Sequence, residues 1–131
     1  MGQSYLNRQL GSVRSPINGA ILIAGTVATD GSGNVTSVTP TSGYEFSCSR
    51  TGTGVYTLTL SDKAKTFLGG WAGSIAATIT FAKVSAQDVS GAGTIAFTFY
   101  NESAGTMGAS NQISTTLHFA LLVSGAAKPT F

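Results

Sequence analysis

Large and small side chains alternate along several stretches of this chain. Tyr44-Glu45-Phe46-Ser47-Cys48-Ser49, Ile75-Ala76-Ala77-Thr78-Ile79-Thr80-Phe81 and Ile95-Ala96-Phe97-Thr98-Phe99 place their bulky residues at every second position. Successive side chains of a strand point to opposite faces, so a period of two predicts strands with one buried face. Gln112 to Val123 carries the longest such pattern, with Ile113, Thr115, Leu117, Phe119, Leu121 and Val123 on one side. No stretch shows the period of a long amphipathic helix.

Turn residues punctuate the pattern. Asp30-Gly31-Ser32-Gly33-Asn34 ends a strand in the second half of Ile17 to Thr29, and Val35 to Thr39 returns from it. Gly and Asn accept positive φ there, and Asp and Ser form side-chain turns. Pro40 to Gly43 closes that unit. Tyr44 to Ser49 and Val55 to Leu60 then read as a hairpin around the loop 50–54. Asp62 to Phe67 has room for one helical turn. Trp71 to Lys83 reads as one strand, 87–93 as a turn region and Thr94 to Tyr100 as a strand. Asn101 to Asn111 reads as a long Gly-rich loop, and Gln112 to Val123 as the last strand. Seven or eight strands with frequent turns predict an all-β fold, an antiparallel β-sandwich that is jelly-roll-like. Met1 to Ser15 lacks strand periodicity and reads as an extended N-terminal arm outside it. The expected division is an arm over 1–15 and one sandwich domain over 16–131.

Composition changes this picture in one respect. The chain has 131 residues, enough for one domain that buries a sizeable core, yet only 9% are charged. Ordinary globular domains carry roughly 25%. The surface is therefore made of Ser, Thr, Gly and Asn, which suits a protein whose surface is covered in an assembly. A net charge of +2, from scattered basic residues, argues against nucleic acid as a partner. No apolar run approaches the roughly 20 residues that span a bilayer, and no leader-like apolar segment stands at the start, so no membrane partner is expected.

Candidate chemistry is sparse. The single Cys48 cannot form an internal disulfide, and its alternation with Phe46 and Tyr44 predicts a buried structural thiol. His118 has no neighbour at metal spacing and lies opposite Leu117 and Phe119, facing solvent or an interface. The segment starting at Asp30 has Thr41 where a calcium loop needs a bidentate Glu, so it reads as a turn. Gly91-Ala92-Gly93-Thr94-Ile95-Ala96 matches a dinucleotide fingerprint by letter, but a strand follows where a helix is required. The carboxylates Asp30, Glu45, Asp62, Asp88 and Glu102 mostly fall in or beside turns, with none paired in sequence. We expect no catalytic residues, no cofactor and no metal. Asn34-Val35-Thr36 and Asn101-Glu102-Ser103 are glycosylation sequons by letter alone. The aromatics Tyr56, Phe67, Trp71, Phe81, Phe97, Phe99 and Phe119 are expected in the core; if exposed, they offer a sugar platform.

Three segments carry a resemblance. They are Leu6-Asn7-Arg8-Gln9-Leu10-Gly11, the hairpin Gly43 to Leu60 with its SRTGTGVYTLTL run, and the closing strand Ser114 to Val123. This order resembles small structural proteins of tailed bacteriophages, among them capsid decoration (cement) proteins and the β-domains of tail fibres. The resemblance implies a non-enzymatic virion protein on the outer capsid surface. Its partners would be the major capsid protein and further copies of itself, with a homotrimer as the implied state. The arm would order on the shell, with Tyr5 and Leu6 as apolar anchors and Arg8 and Arg14 as forks for capsid carboxylates. The alternative is a tail-fibre or tail-tip domain that binds a host-surface glycan. An unrelated cellular sandwich has the same hairpin grammar.

Overall fold

The computed structural model describes residues 19–76 and 78–125. The arm residues Tyr5, Leu6, Arg8 and Arg14 lie outside the described residues. Among those described there are nine strands and no helix. They are β1 (Ala20–Thr29), β2 (Val35–Pro40), β3 (Phe46–Gly52), β4 (Val55–Leu60), β5 (Thr66–Ser74), β6 (Thr80–Asp88), β7 (Thr94–Ser103), β8 (Thr106–Ala109) and β9 (Thr116–Ser124). All pair antiparallel, in two sheets. One has the order β2-β1-β9-β5, the other β3-β4-β7-β6, with β8 added to β7. The sheets pack face to face as the antiparallel sandwich that the alternation predicts.

Inward positions fill the space between the sheets. Ile23 and Val27 of β1 and Leu117, Phe119, Leu121 and Val123 of β9 face Tyr56, Leu58 and Leu60 of β4 and Ile95, Phe97 and Phe99 of β7. Burying each such side chain contributes roughly 1.5–3 kcal/mol. Phe119 links the layers. Its ring meets Phe97 at 5.2 Å and Phe99 at 5.9 Å, both edge to face, and Phe99 meets Tyr56 at 5.5 Å. Edge-to-face pairs add about 0.5–1.5 kcal/mol each beyond burial.

Edges are blunted. β3 carries an irregularity between Arg50 and Gly52, β5 between Phe67 and Gly69, and β6 between Val84 and Ala86. Bulges twist an edge away from further pairing. The links β2–β3 and β5–β6 pass from one sheet to the other along the two sides of the sandwich.

Five local expectations change. Asp62 to Phe67 makes no helical turn; Ala64 is buried, and Thr66 already pairs with Ser124 in β5. The segment 71–83 is two strands in different sheets, because the chain crosses between layers after Ser74. Ile75 and Ile79 alternate correctly but lie in that crossing, 67% and 69% exposed. The hairpin near 50 is tighter than a five-residue loop, since β3 runs on to Gly52 and Arg50 pairs with Tyr56. The Gly-rich segment 101–111 is mostly hairpin: β7 extends to Ser103 and β8 returns through Ala104 and Gly105, with φ of 52° and 85°. Two central residues at positive φ match the right-handed twist of the flanking strands. Finally, β9 starts at Thr116. Ser114 has φ of 48°, which breaks the alternation, so Gln112 is buried and Ile113 is 57% exposed.

Candidate functional site

Five connections meet at one end of the sandwich: the 30–34 turn, the β3–β4 turn, the β5–β6 crossing, the β7–β8 hairpin and the loop 110–115. Tyr56 organises them from below. Its hydroxyl donates to Gly33 O at 2.7 Å and accepts from Gln112 N at 3.0 Å. One buried phenol thus holds two loops that are far apart in sequence. Gly33 fits there because it has φ of 88° and because a Cβ would lie 2.7 Å from Asn111. Asn111 Oδ1 accepts from Gly54 N at 2.8 Å and from Arg50 at 3.4 Å. Arg50 also donates twice to Asn34 Oδ1.

Above this network lies an open cleft of about 800 Å³. Its lining includes Gln112 and Asn101, Thr29, Thr115 and Thr116, and Ile75 and Thr78. Among the described residues no acidic or basic side chain lines it. Gln112 is 1% exposed, and its Nε2 donates to Asn101 Oδ1 at 2.9 Å and Ser110 O at 3.0 Å. Its Oε1 is buried with no hydrogen-bond partner among the described residues. An unsatisfied buried acceptor costs about 1–3 kcal/mol.

A second surface feature adjoins the cleft. On the outer face of the β6–β7–β8 sheet, Phe81 pairs with Tyr100 and Tyr100 with Ala109; one step along, Glu102 pairs with Met107. Glu102 N donates to Ile79 O at 2.9 Å, which extends the ladder past β6. Alternation puts Ile79, Phe81, Tyr100 and Met107 on one face. The rings of Phe81 and Tyr100 lie 6.1 Å apart. Phe81 and Trp71 are therefore surface residues, 55% and 61% exposed, contrary to the core placement expected for the aromatics. Tyr56, Phe97, Phe99 and Phe119 are buried as expected, and Phe67 packs partly buried against them.

The remaining chemistry-bearing residues are structural. Asp30 Oδ1 accepts from Ser32 N at 2.8 Å and Asn34 N at 3.0 Å, and these bonds hold its carboxyl below the usual range, with Arg50 adding a smaller attraction. Asp88 accepts from Gly91 N and Ala92 N, and Glu102 from Gly105 N. Three of the five carboxylates thus build turns. Cys48 is half-buried rather than fully buried, because β3 is an edge strand, and desolvation pushes its thiol up to about 12. His118 is exposed on the outer face of β9, as its opposition to Leu117 and Phe119 predicts. Among the described residues no three His, Cys, Asp or Glu side chains gather to hold a metal.

The cleft was not legible in the sequence. Its one signal was the run of amides and hydroxyls from Asn101 through Thr116, which reads as ordinary loop. Comparison of the chain with family models, curated proteins and solved structures finds no match.

Proposed function

We propose that this chain is a non-enzymatic structural protein of a virion, a decoration (cement) protein that coats the outer face of a bacteriophage capsid as a symmetric oligomer. The observation that carries the reading is the apolar outer face of the β6–β7–β8 sheet. Exposed apolar side chains grouped in this way, here around the carboxylate of Glu102, mark an interaction site. A second copy of this chain is its occupant. Lys83 and Glu102 stand at opposite ends of the face, so unlike charges can meet where a neighbouring copy packs against it. With 9% charged residues, few ions need be desolvated when copies pack. Closed symmetry is the rule for such assemblies; the trimeric state and the arm's contacts through Tyr5, Leu6, Arg8 and Arg14 rest on the resemblance. The use of Asp30, Asp88 and Glu102 as turn-builders supports a role without catalysis.

The uncharged cleft favours a second reading, a tail-tip domain that recognises a host glycan. Copy number separates the two. A stained gel of purified particles from the virus that encodes this chain is expected to show it in a fixed, shell-like ratio to the major capsid protein. A handful of copies per particle would move the protein to the tail, and absence from particles would sink both readings.

A further inference from the structure

We infer that the cleft over Gln112 is a binding site for a neutral saccharide, whether the chain sits on a shell or at a tail. Three observations carry this. The first is Gln112, a buried residue in the lining of the cleft, whose Oε1 has no partner among the described residues while its Nε2 is committed to Asn101 and Ser110. Since Nε2 faces two acceptors, exchanging the amide atoms would break both bonds, so the orphan is an acceptor in need of a donor. Oε1 lies beneath the accessible surface, so the side chain must turn toward the cleft it lines for a ligand hydroxyl, or a water held by one, to supply that donor.

The second observation is the chemistry of the walls. Asn101, Gln112, Thr78, Ser114 and Thr116 line it, and among the described residues no ionisable side chain does. Among those residues an anionic ligand finds no cation there, and a cationic ligand no carboxylate. Groups that both donate and accept, spread along a wall, match the hydroxyl pattern of a sugar. Ile75, Ala76 and Ile113 add an apolar surface for the C–H face of a pyranose ring, with Ile75 and Ile113 67% and 57% exposed. An extended peptide fits less well, because it would seek a row of free backbone donors and acceptors at a sheet edge.

The third observation is the fit of the site. About 800 Å³ falls within the range of small-molecule sites, roughly 300–1,000 Å³. The cleft is also built on a braced base. Tyr56 ties Gly33 to Gln112, and Ser114 holds φ of 48° while its N–H donates to Asp30 O at 2.8 Å. Backbone held in a sparsely populated conformation clusters at ligand sites.

The test is a titration of the full-length, isotope-labelled protein with galactose, glucose and N-acetylglucosamine, followed by amide NMR shifts. The expected result is saturable shifts at Asn101, Gln112 and Thr115 for at least one sugar. Ile113→Asp and Thr78→Val, both at exposed positions, should each keep the native spectrum; Ile113→Asp should weaken binding about tenfold, the loss of roughly one anchor. No saturable shift up to about 50 mM, well past a millimolar Kd, overturns the inference. So does binding that both variants leave unchanged, which would place the sugar elsewhere. Shifts with N-acetylneuraminic acid but with none of the three neutral sugars would overturn the neutral class. The particle gel is indifferent to every one of these results, so the two proposals fail separately.

Discussion

The Tyr56 hydroxyl stands at the junction of two loops, fully enclosed, with a donor and an acceptor of the backbone both depending on it. Removing that oxygen leaves Gly33 O and Gln112 N without a partner and opens no route for water. Tyr56→Phe should therefore destabilise the fold by about 1–3 kcal/mol, the cost of buried polar groups left unpaired. The urea midpoint should fall, with an unchanged slope. Cys48 offers a second test. Desolvation raises its thiol to about 12, so at pH 8 it is protonated in the folded protein, whereas an unfolded thiol near its ordinary 9.0 is partly ionised. Disulfide-exchange reagents should label native protein far more slowly than urea-unfolded protein; equal rates would show the sulfur to be freely solvated. Gly25 illustrates what a residue list hides. A Cβ there would lie 2.7 Å from both the Phe46 ring and Thr39 O. The missing side chain is what lets a ring from the opposite sheet lie on β1.

Among the elements, the β7–β8 hairpin carries a residue that its backbone does not favour. Ala104 has φ of 52° ahead of Gly105 at 85°. Asn tolerates this region better than Ala, and Asn-Gly is the preferred pair for such turns. Ala104→Asn should raise stability by up to about 1 kcal/mol, read as an upward shift of the thermal midpoint. A loss of stability would mean that the turn has a different geometry. The turn before β2 works through charge. Backbone donors from Ser32 and Asn34 lower the Asp30 pKa from its ordinary 3.8. A lowered folded-state pKa means that the ionised form stabilises the fold. That contribution is complete above 3.8 and is lost as pH falls through the lower folded-state value. Asp30→Asn keeps the side-chain acceptor and removes the titration, so its stability profile should be flatter than that of the native chain in this acid window. Parallel profiles would show that Asp30 does not contribute.

At the scale of the whole molecule, the sandwich places two unlike surfaces side by side. The outer face groups the apolar side chains of Ile79, Phe81, Tyr100 and Met107, and the cleft beside it is lined, among the described residues, without a charged side chain. The first suits self-association, the second a hydroxylated ligand. Light scattering should find the native protein as a closed oligomer. Phe81→Asp should convert it to monomer while leaving the strand-rich circular dichroism spectrum intact. An oligomer that survives this change would move the interface elsewhere.

Much of this architecture follows from alternation alone. Leu117, Phe119, Leu121 and Val123 had to share a face, as did Tyr56, Leu58 and Leu60, because a strand's period of two leaves no other arrangement. Turn chemistry likewise placed the bend at 30–34. Three things were decided only by the tertiary structure. The run 71–83 alternates throughout, and only the need to close the sandwich splits it into β5 and β6, since a local pattern does not record which sheet a strand joins. Ile113 continues the β9 pattern by letter, but the positive φ of Ser114 turns it outward and buries Gln112 in its place. The cleft itself gathers residues from the β5–β6 crossing, the loop 110–115 and the ends of β1, β7 and β9, brought together by packing rather than by spacing. Periodicity reports a strand's own two faces; it carries no information about which distant loops those faces will bring to the same end.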